Sequence, residues 1–144
     1  MASVSSPPAS FKGDWITPEH PDYTQAIARW TATSVRRAAV VAFVKGPDDV
    51  TIALKYAREN SLPIAIRGGG HSAAAASSID GGLVIDLSRH LNGATVDAEK
   101  RLVYVGGGAI WETVDKTAIE YGLATPGGTV NHVGTYDAVL MGYI

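Results

Sequence analysis

The 144-residue chain contains no cysteine. That single absence excludes disulfides, cysteine-ligated zinc and a thiol nucleophile. It has no uninterrupted apolar run of the ~18 residues a spanning helix needs. Its first residues, MASVSSPPASFKGDW, lack the apolar heart of a signal peptide. The expectation is therefore a soluble, cytoplasmic protein with no membrane partner. It also lacks an excess of either charge: 12 Lys and Arg stand against 14 Asp and Glu, a net charge of −2. Without a basic face no nucleic-acid partner is expected. No cluster of metal-ligand residue types appears, and no GxxxxGK[ST] phosphate loop is present.

What the chain does have is apolar content and glycine. Hydrophobic residues make up 46%, enough for a core, and 16 glycines are present. Many glycines cluster, at 68–70, 81–82, 106–108 and 127–128, following apolar stretches or opening tight connections. This predicts a set of backbone loops arranged around something.

Residues 1–19 are rich in Ser and Pro and read as a mobile lead-in. In 22–33, Tyr23, Ala26, Ile27 and Trp30 fall on one helical face. AAVVAFV (38–44) reads as a buried strand. GPDDVTIALKYAREN (46–60) reads as a helix with Pro and two Asp at its start and Val50, Ala53, Leu54 and Ala57 inward. LPIAI (62–66) and GLVIDLS (82–88) are two further buried strands. ATVDAEKRLVYVGGG (94–108) reads as a hairpin turning at 97–100. IWETVDKTAIEYG (110–122) is a helix with Trp111, Val114, Ala118 and Tyr121 inward and Gly122 closing it. A loop follows at 123–134. The prediction is an α+β domain, a small mixed β-sheet with flanking helices. The last stretch, TYDAVLMGYI (135–144), is too short for its own core, so it reads as a docked end or as the start of a missing continuation.

The densest signal is IAIRGGGHSA (64–73). Consecutive glycines cost backbone entropy, so something must need the chain bare there. Gly68, Gly70 and Ala73 formally meet the dinucleotide fingerprint GxGxxG/A, with Asp86 as an acidic partner. That fingerprint needs a helix next, and residues 71–79 are too few for an ordinary crossover helix. A second reading is a concavity of bare N–H groups that wraps an anion directly, with a hydroxyl from Ser72 and the charge of Arg67 nearby. A third is a plain turn, with Arg67 solvated. Elsewhere, Asp86 reads as tying a loop, Trp111 and Tyr121 as core, His20 and His90 as surface residues, and His132 as a polar loop residue or a cofactor-edge contact.

Four ordered blocks carry a resemblance: IRGGGHS (66–72), GGLVIDLS (81–88), LVYVGGGAIW (102–111) and GLATPGGTVNHVG (122–134). Together they resemble the N-terminal part of the PCMH-type FAD-binding domain in the berberine-bridge-enzyme-like branch of the vanillyl-alcohol-oxidase superfamily. The resemblance spans about residues 20–134, which it marks as an incomplete FAD-binding lobe. It implies FAD as cofactor and small molecules as substrates. It also implies that Arg67, Gly68, Gly69, Gly70, His71 and Ser72 cradle the pyrophosphate. His71 would be bonded through a ring nitrogen to the flavin 8α-methyl carbon; a neutral imidazole nitrogen is a fair nucleophile near physiological pH. Gly127, Gly128, Thr129, Val133 and Gly134 match the loop that passes the isoalloxazine. Some members add a cysteinyl link at the position of Val130, which a chain without cysteine cannot form.

The chain departs from the family after Gly134, where 135–144 diverges, and members are several times longer. The part they add supplies the catalytic base, so no catalytic residue is assigned here. Two readings follow. One is the FAD-binding lobe of an oxidoreductase that moves a hydride from a C–H of an alcohol, sugar or secondary metabolite to flavin, with reoxidation by dioxygen. The other is a truncated or repurposed, non-catalytic lobe that binds a ligand or associates with itself as a homo-oligomer through the face the missing half would cover.

Overall fold

The computed structural model describes residues 6–135, so all of the terminal stretch but Thr135 lies outside the described residues. Two strands form the centre. β2 (Val40–Phe43) and β4 (Leu83–Asp86) read VVAF and LVID, and every side chain in both is buried, as continuous apolar runs covered on both faces should be. They pair in parallel. β3 (Ile64–Arg67) adds in parallel beyond β4, and β1 (Asp14–Ile16) adds antiparallel beyond β2. The order is β1-β2-β4-β3, a mixed sheet in an α+β fold. β5 (Ala94–Asp97) and β6 (Leu102–Val105) pair separately as the expected hairpin, with Asp97 Oδ1 accepting the Lys100 N–H in the turn.

Period-two alternation divides the core. Val41, Phe43, Ala65 and Val84 meet Tyr23, Ala26 and Ile27 of α1 (Tyr23–Ile27) on one face. Val40, Ala42, Val44, Leu83 and Ile85 meet Ala53 and Ala57 of α2 (Pro47–Glu59) on the other. A third cluster joins Trp111 and Val114 of α3 (Trp111–Ile119) to Ala94 and Val103 of the hairpin. Asp49, in the first turn of α2, is buried and accepts the Lys12 and Lys45 N–H groups at 2.9 Å each, so one carboxylate ties the helix start to two strand ends. The closing glycine of α3 is where the sequence put it. Gly122 has φ +64°, its N–H donates to Ile119 O, and Leu123 N–H donates to Ala118 O, the paired bonds of a Schellman cap. Among the described residues no helix is long and apolar enough to cross a membrane.

Several expectations change. The lead-in contributes β1, held by an edge-to-face row of Phe11, Trp15 and Tyr56 with centroids 5.0 and 4.9 Å apart. The helix expected over 22–33 ends at Ile27, and Ala28 is extended with ψ 145°, because tertiary bonds capture the segment that follows. Trp30 is consequently 65% exposed and not on the core face. Leu54 faces outward and Asp49 takes its place among the buried residues of α2. β3 is not fully buried: among the described residues it pairs only with β4, and Ile66 is 48% exposed. Tyr121 lies past the end of α3 and is exposed. His90 is not a bare surface residue, since its Nε2 lies 2.8 Å from Asp14 Oδ2, beside Arg89 Nη1 at 3.0 Å.

Register makes one further pair. Arg67 lies opposite Asp86 in the β3–β4 ladder, and Arg67 Nη1 donates to Asp86 Oδ2 at 3.0 Å. The carboxylate side chain is fully buried. Removing one member of such a pair strands the other. Arg67→Met should cost about 3 kcal/mol, and Arg67→Met with Asp86→Leu should recover most of it, as read by urea denaturation. A double variant no better than the single one would show that the two are not coupled.

Burial pushes the Asp14 carboxyl up, but hydrogen bonds from His90 and Arg89, and their charge, outweigh it and hold the group below its ordinary value of 3.8. A depressed carboxyl stabilises the fold fully above its unfolded value and loses that contribution as pH falls through the folded one. The group is partly exposed, so the effect is small, about 0.5 kcal/mol. Asp14→Asn should melt roughly a degree or two below the parent at pH 7, and the gap should close once the pH is low enough to protonate the carboxylate in the folded state. A gap that persists there in thermal melts would refute the ion-pair origin.

Candidate functional site

The glycine loop leaves the C-terminal end of β3. The N–H groups of Gly68, Gly69 and Gly70 donate to no other described group, although Gly68 and Gly70 are buried. Buried backbone donors are almost always paired, so three adjacent bare amides call for a partner. Gly70 has φ +77°, and a Cβ there would stand 3.0 Å from Arg67 Nε and 3.4 Å from Arg29 Cδ. The position therefore requires glycine both for its conformation and for the guanidinium beneath it. No helix follows: residues 71–81 are turns and bends, which removes the helix the dinucleotide fingerprint needs. Ser72 Oγ accepts the Ala76 N–H at 3.2 Å.

The loop is built against the segment after α1. Trp30 N–H donates to Gly70 O at 3.4 Å. Ser34 Oγ lies 3.1 and 3.2 Å from the carbonyls of Ser72 and Ala73. Arg29 Nη2 and Nε donate to Ser77 O at 2.7 and 3.1 Å, and Arg67 Nη1 reaches back to Ala26 O at 3.3 Å. Four of the loop's carbonyls, at Gly70, Ser72, Ala73 and Ser77, are thereby spent on the backing, and the glycine amides are left.

Charge accumulates under the loop. Asp86 pairs with Arg67, Arg29 feels the charge of both, and Arg67 Nε is buried with no partner among the described residues. Burial first, then the positive charge of Arg67, lowers Arg29 to about 10, against a partial offset from Asp86. A cation lowered in this way gains from any anion brought to it. Asp86 does tie a loop, accepting the Ser88 N–H and Oγ–H at 2.8 and 2.6 Å.

The second predicted loop arrives from the other side. Val133 and Asn131 carbonyls accept the Trp111 and Glu112 N–H groups at 3.1 and 2.7 Å, so this loop closes the open amides at the start of α3. Gly134 bridges Ile110, Val133 packs on Trp111 and Val114, and Thr129 is exposed. Gly127 and Gly128 have a packing reason: a Cβ at either would stand 2.4 or 2.6 Å from the Trp111 ring. Trp111 is core, as expected. The two loops meet at one point, where the His71 and His132 rings lie 4.8 Å apart at 54°. Trp30 stacks on His71 at 5.3 Å and 29°. The glycines at 106–108 do not join this site; they let the end of the hairpin lie on the backbone of Leu87 and Leu91. Among the described residues no group of three His, Cys, Asp or Glu is placed to hold a metal.

Sequence reasoning missed Arg29, Trp30 and Ser34. A signal existed in ARWTATS (28–34): an arginine, an exposed tryptophan and a run of hydroxyls follow a helix with nothing nearby to pack on. The helical spacing of Trp30 concealed it.

Comparison with known proteins gives the same assignment. Residues 38–142 match the family described as FAD binding domain. The chain is 39% identical over 132 residues to an uncharacterized FAD-linked oxidoreductase of Bacillus subtilis (strain 168), covering 92% of this chain and 29% of that protein. It is 31% identical over 142 residues to (R)-6-hydroxynicotine oxidase of Paenarthrobacter nicotinovorans, covering 99% of this chain and 31% of that one. Its fold superposes on 6-hydroxy-D-nicotine oxidase from Arthrobacter nicotinovorans with a TM-score of 0.85 at 31% identity, over 89% of this chain and 28% of that one. The fold is also that of Physcomitrella patens BBE-like 1, with a TM-score of 0.78 at 22% identity over 85% and 27% of the two chains. The chain thus spans less than a third of the length of these relatives. The match over residues 38–142 makes the chain a member of the FAD-binding domain family, and over that length it is similar to part of the FAD-linked oxidoreductases.

Proposed function

We propose that residues 67–72 hold the pyrophosphate of FAD and that His71 is its covalent attachment point. The observation that carries this reading is the set of three amides, Gly68, Gly69 and Gly70, with no partner among the described residues, Gly70 lying against Arg67 and Arg29. A diphosphate brings the acceptors the amides lack and the negative charge the guanidiniums lack. Arg67 Nε, which has no partner among the described residues, supplies a further donor. Ser72 has spent an acceptor position on Ala76, and its O–H is left to donate. Bound FAD supplies hydride acceptance from a substrate C–H and reoxidation by dioxygen. The name of the (R)-6-hydroxynicotine oxidase supports an oxidase-type reaction for the whole protein, with an alcohol, sugar or secondary metabolite as the substrate class. Within this chain the residues bind and orient: Arg67 and Arg29 neutralise phosphate charge, His71 fixes the ring, and the loop ending at Gly134 walls the ring's other side.

The test is intact mass after incubation with FAD and acid denaturation. A mass gain of one FAD is expected in the parent and none in His71→Ala. Separately, Arg67→Gln should weaken FAD binding about tenfold or more, as expected from losing one charge-assisted contact, measured by flavin fluorescence quenching. An adduct surviving in His71→Ala, or unchanged affinity in Arg67→Gln, would overturn the assignment.

A second reading has its own observation. Among the described residues β3 pairs on one side only, and Ile66 is 48% exposed. Unpaired apolar edges template association. If the lobe acts as a self-associating module, sedimentation will show a dimer or larger species that Ile66→Lys dissolves. A monomer at high micromolar concentration would eliminate this reading.

A further inference from the structure

A tryptophan left 65% exposed needs a reason. The spacing of Trp30 fits the face of Tyr23, Ala26 and Ile27, yet the helix ends before it and the ring lies instead on His71, 5.3 Å away at 29°. The loop backbone does not need this ring. Arg29 holds Ser77 O, Ser34 holds the carbonyls of Ser72 and Ala73, and the bond from residue 30 to Gly70 O comes from its backbone N–H. What the indole itself adds is contact with an imidazole face.

We propose that Trp30 is a positioning residue of His71: by stacking on its face it helps to set the imidazole plane, and with it the direction in which the ring nitrogens point toward the flavin. The proposal rests on the reading of His71 as the attachment residue. The physical point is directional. The lone pair and the N–H bond of an imidazole lie in the ring plane, so a partner on the face restrains rotation without occupying either nitrogen. An unrestrained histidine ring rotates among rotamers and spends much of its time misaligned, and misalignment by about an ångström is enough to cost a reaction orders of magnitude. His132, 4.8 Å from the same ring at 54°, comes from a different loop and limits the ring from a second direction. Trp30 thus acts on the nucleophile while the amides and guanidiniums act on the phosphates, and the two functions separate by mutation.

The experiment follows the His71 ring protons by NMR in the chain without cofactor, assigned by their loss in His71→Ala, and compares the parent with Trp30→Ala and Trp30→Phe. The time course of acid-stable flavin by intact mass runs alongside. In the parent the ring protons should be shifted upfield by the indole ring current. The shift should vanish in Trp30→Ala and largely remain in Trp30→Phe. Attachment should slow roughly tenfold in Trp30→Ala and recover in Trp30→Phe, while non-covalent FAD affinity stays within about twofold, because stacking on His71 touches no phosphate contact. Because the side chain is exposed, both variants should keep the parent melting temperature. Ring protons that ignore Trp30→Ala, or attachment equally fast in that variant, overturn the role of Trp30 and leave the FAD reading standing. No acid-stable flavin in the parent overturns the attachment reading itself, and the role in attachment with it.

Discussion

A parallel register that sets Arg67 opposite Asp86 is the constraint from which the site is built. The acid sits at the end of an all-buried strand, where an isolated carboxylate would be prohibitively costly, and the guanidinium on the neighbouring strand makes its burial tolerable. Because Arg67 is the last residue of β3, the pair also fixes where the chain leaves the sheet. The glycines begin at the next residue. Slipping β3 by one position would turn Arg67 to the opposite face and carry the loop away from α1. The cradle is therefore a consequence of sheet register rather than an independent loop.

The second constraint is the division of backbone polarity. In residues 70–77 the carbonyls of Gly70, Ser72, Ala73 and Ser77 are committed to Trp30, Ser34 and Arg29. Satisfying carbonyls and leaving amides gives a short loop a net donor character that no side chain supplies. The electrostatics point the same way, since the guanidinium of Arg29 is held in a place that lowers it to about 10, chiefly through burial. A buried guanidinium beside a second one gains from any anion brought to it, so the loop's donors and the charge behind them favour the same kind of ligand.

Much of this was legible in the sequence, and the limits have physical causes. β2 and β4 declared themselves because strands covered on both faces are apolar throughout. The hairpin showed by its turn, and the end of α3 by Gly122. The glycine loop was visible because three adjacent glycines have few other uses. What was hidden is what tertiary contact decides. Trp30 carries helical spacing but follows the bond to Gly70. Ile64 and Ile66 look like core until strand order puts β3 at the edge. The glycines at 127 and 128 match a cofactor motif, yet the Trp111 ring accounts for their lack of a side chain. Asp14 and His90 are far apart in sequence, and only the placement of β1 joins them.

The loop before Gly134 carries one more implication. Its carbonyls at Asn131 and Val133 close the start of α3, a helix with no side-chain cap of its own. Pulling the loop away would expose two helix amides at about 1 kcal/mol each and also lift Val133 off Trp111. The loop and the helix thus form one mechanical unit. It behaves as a fixed wall rather than a door, so the shape of this side of the site is set by helix packing and needs no moving part.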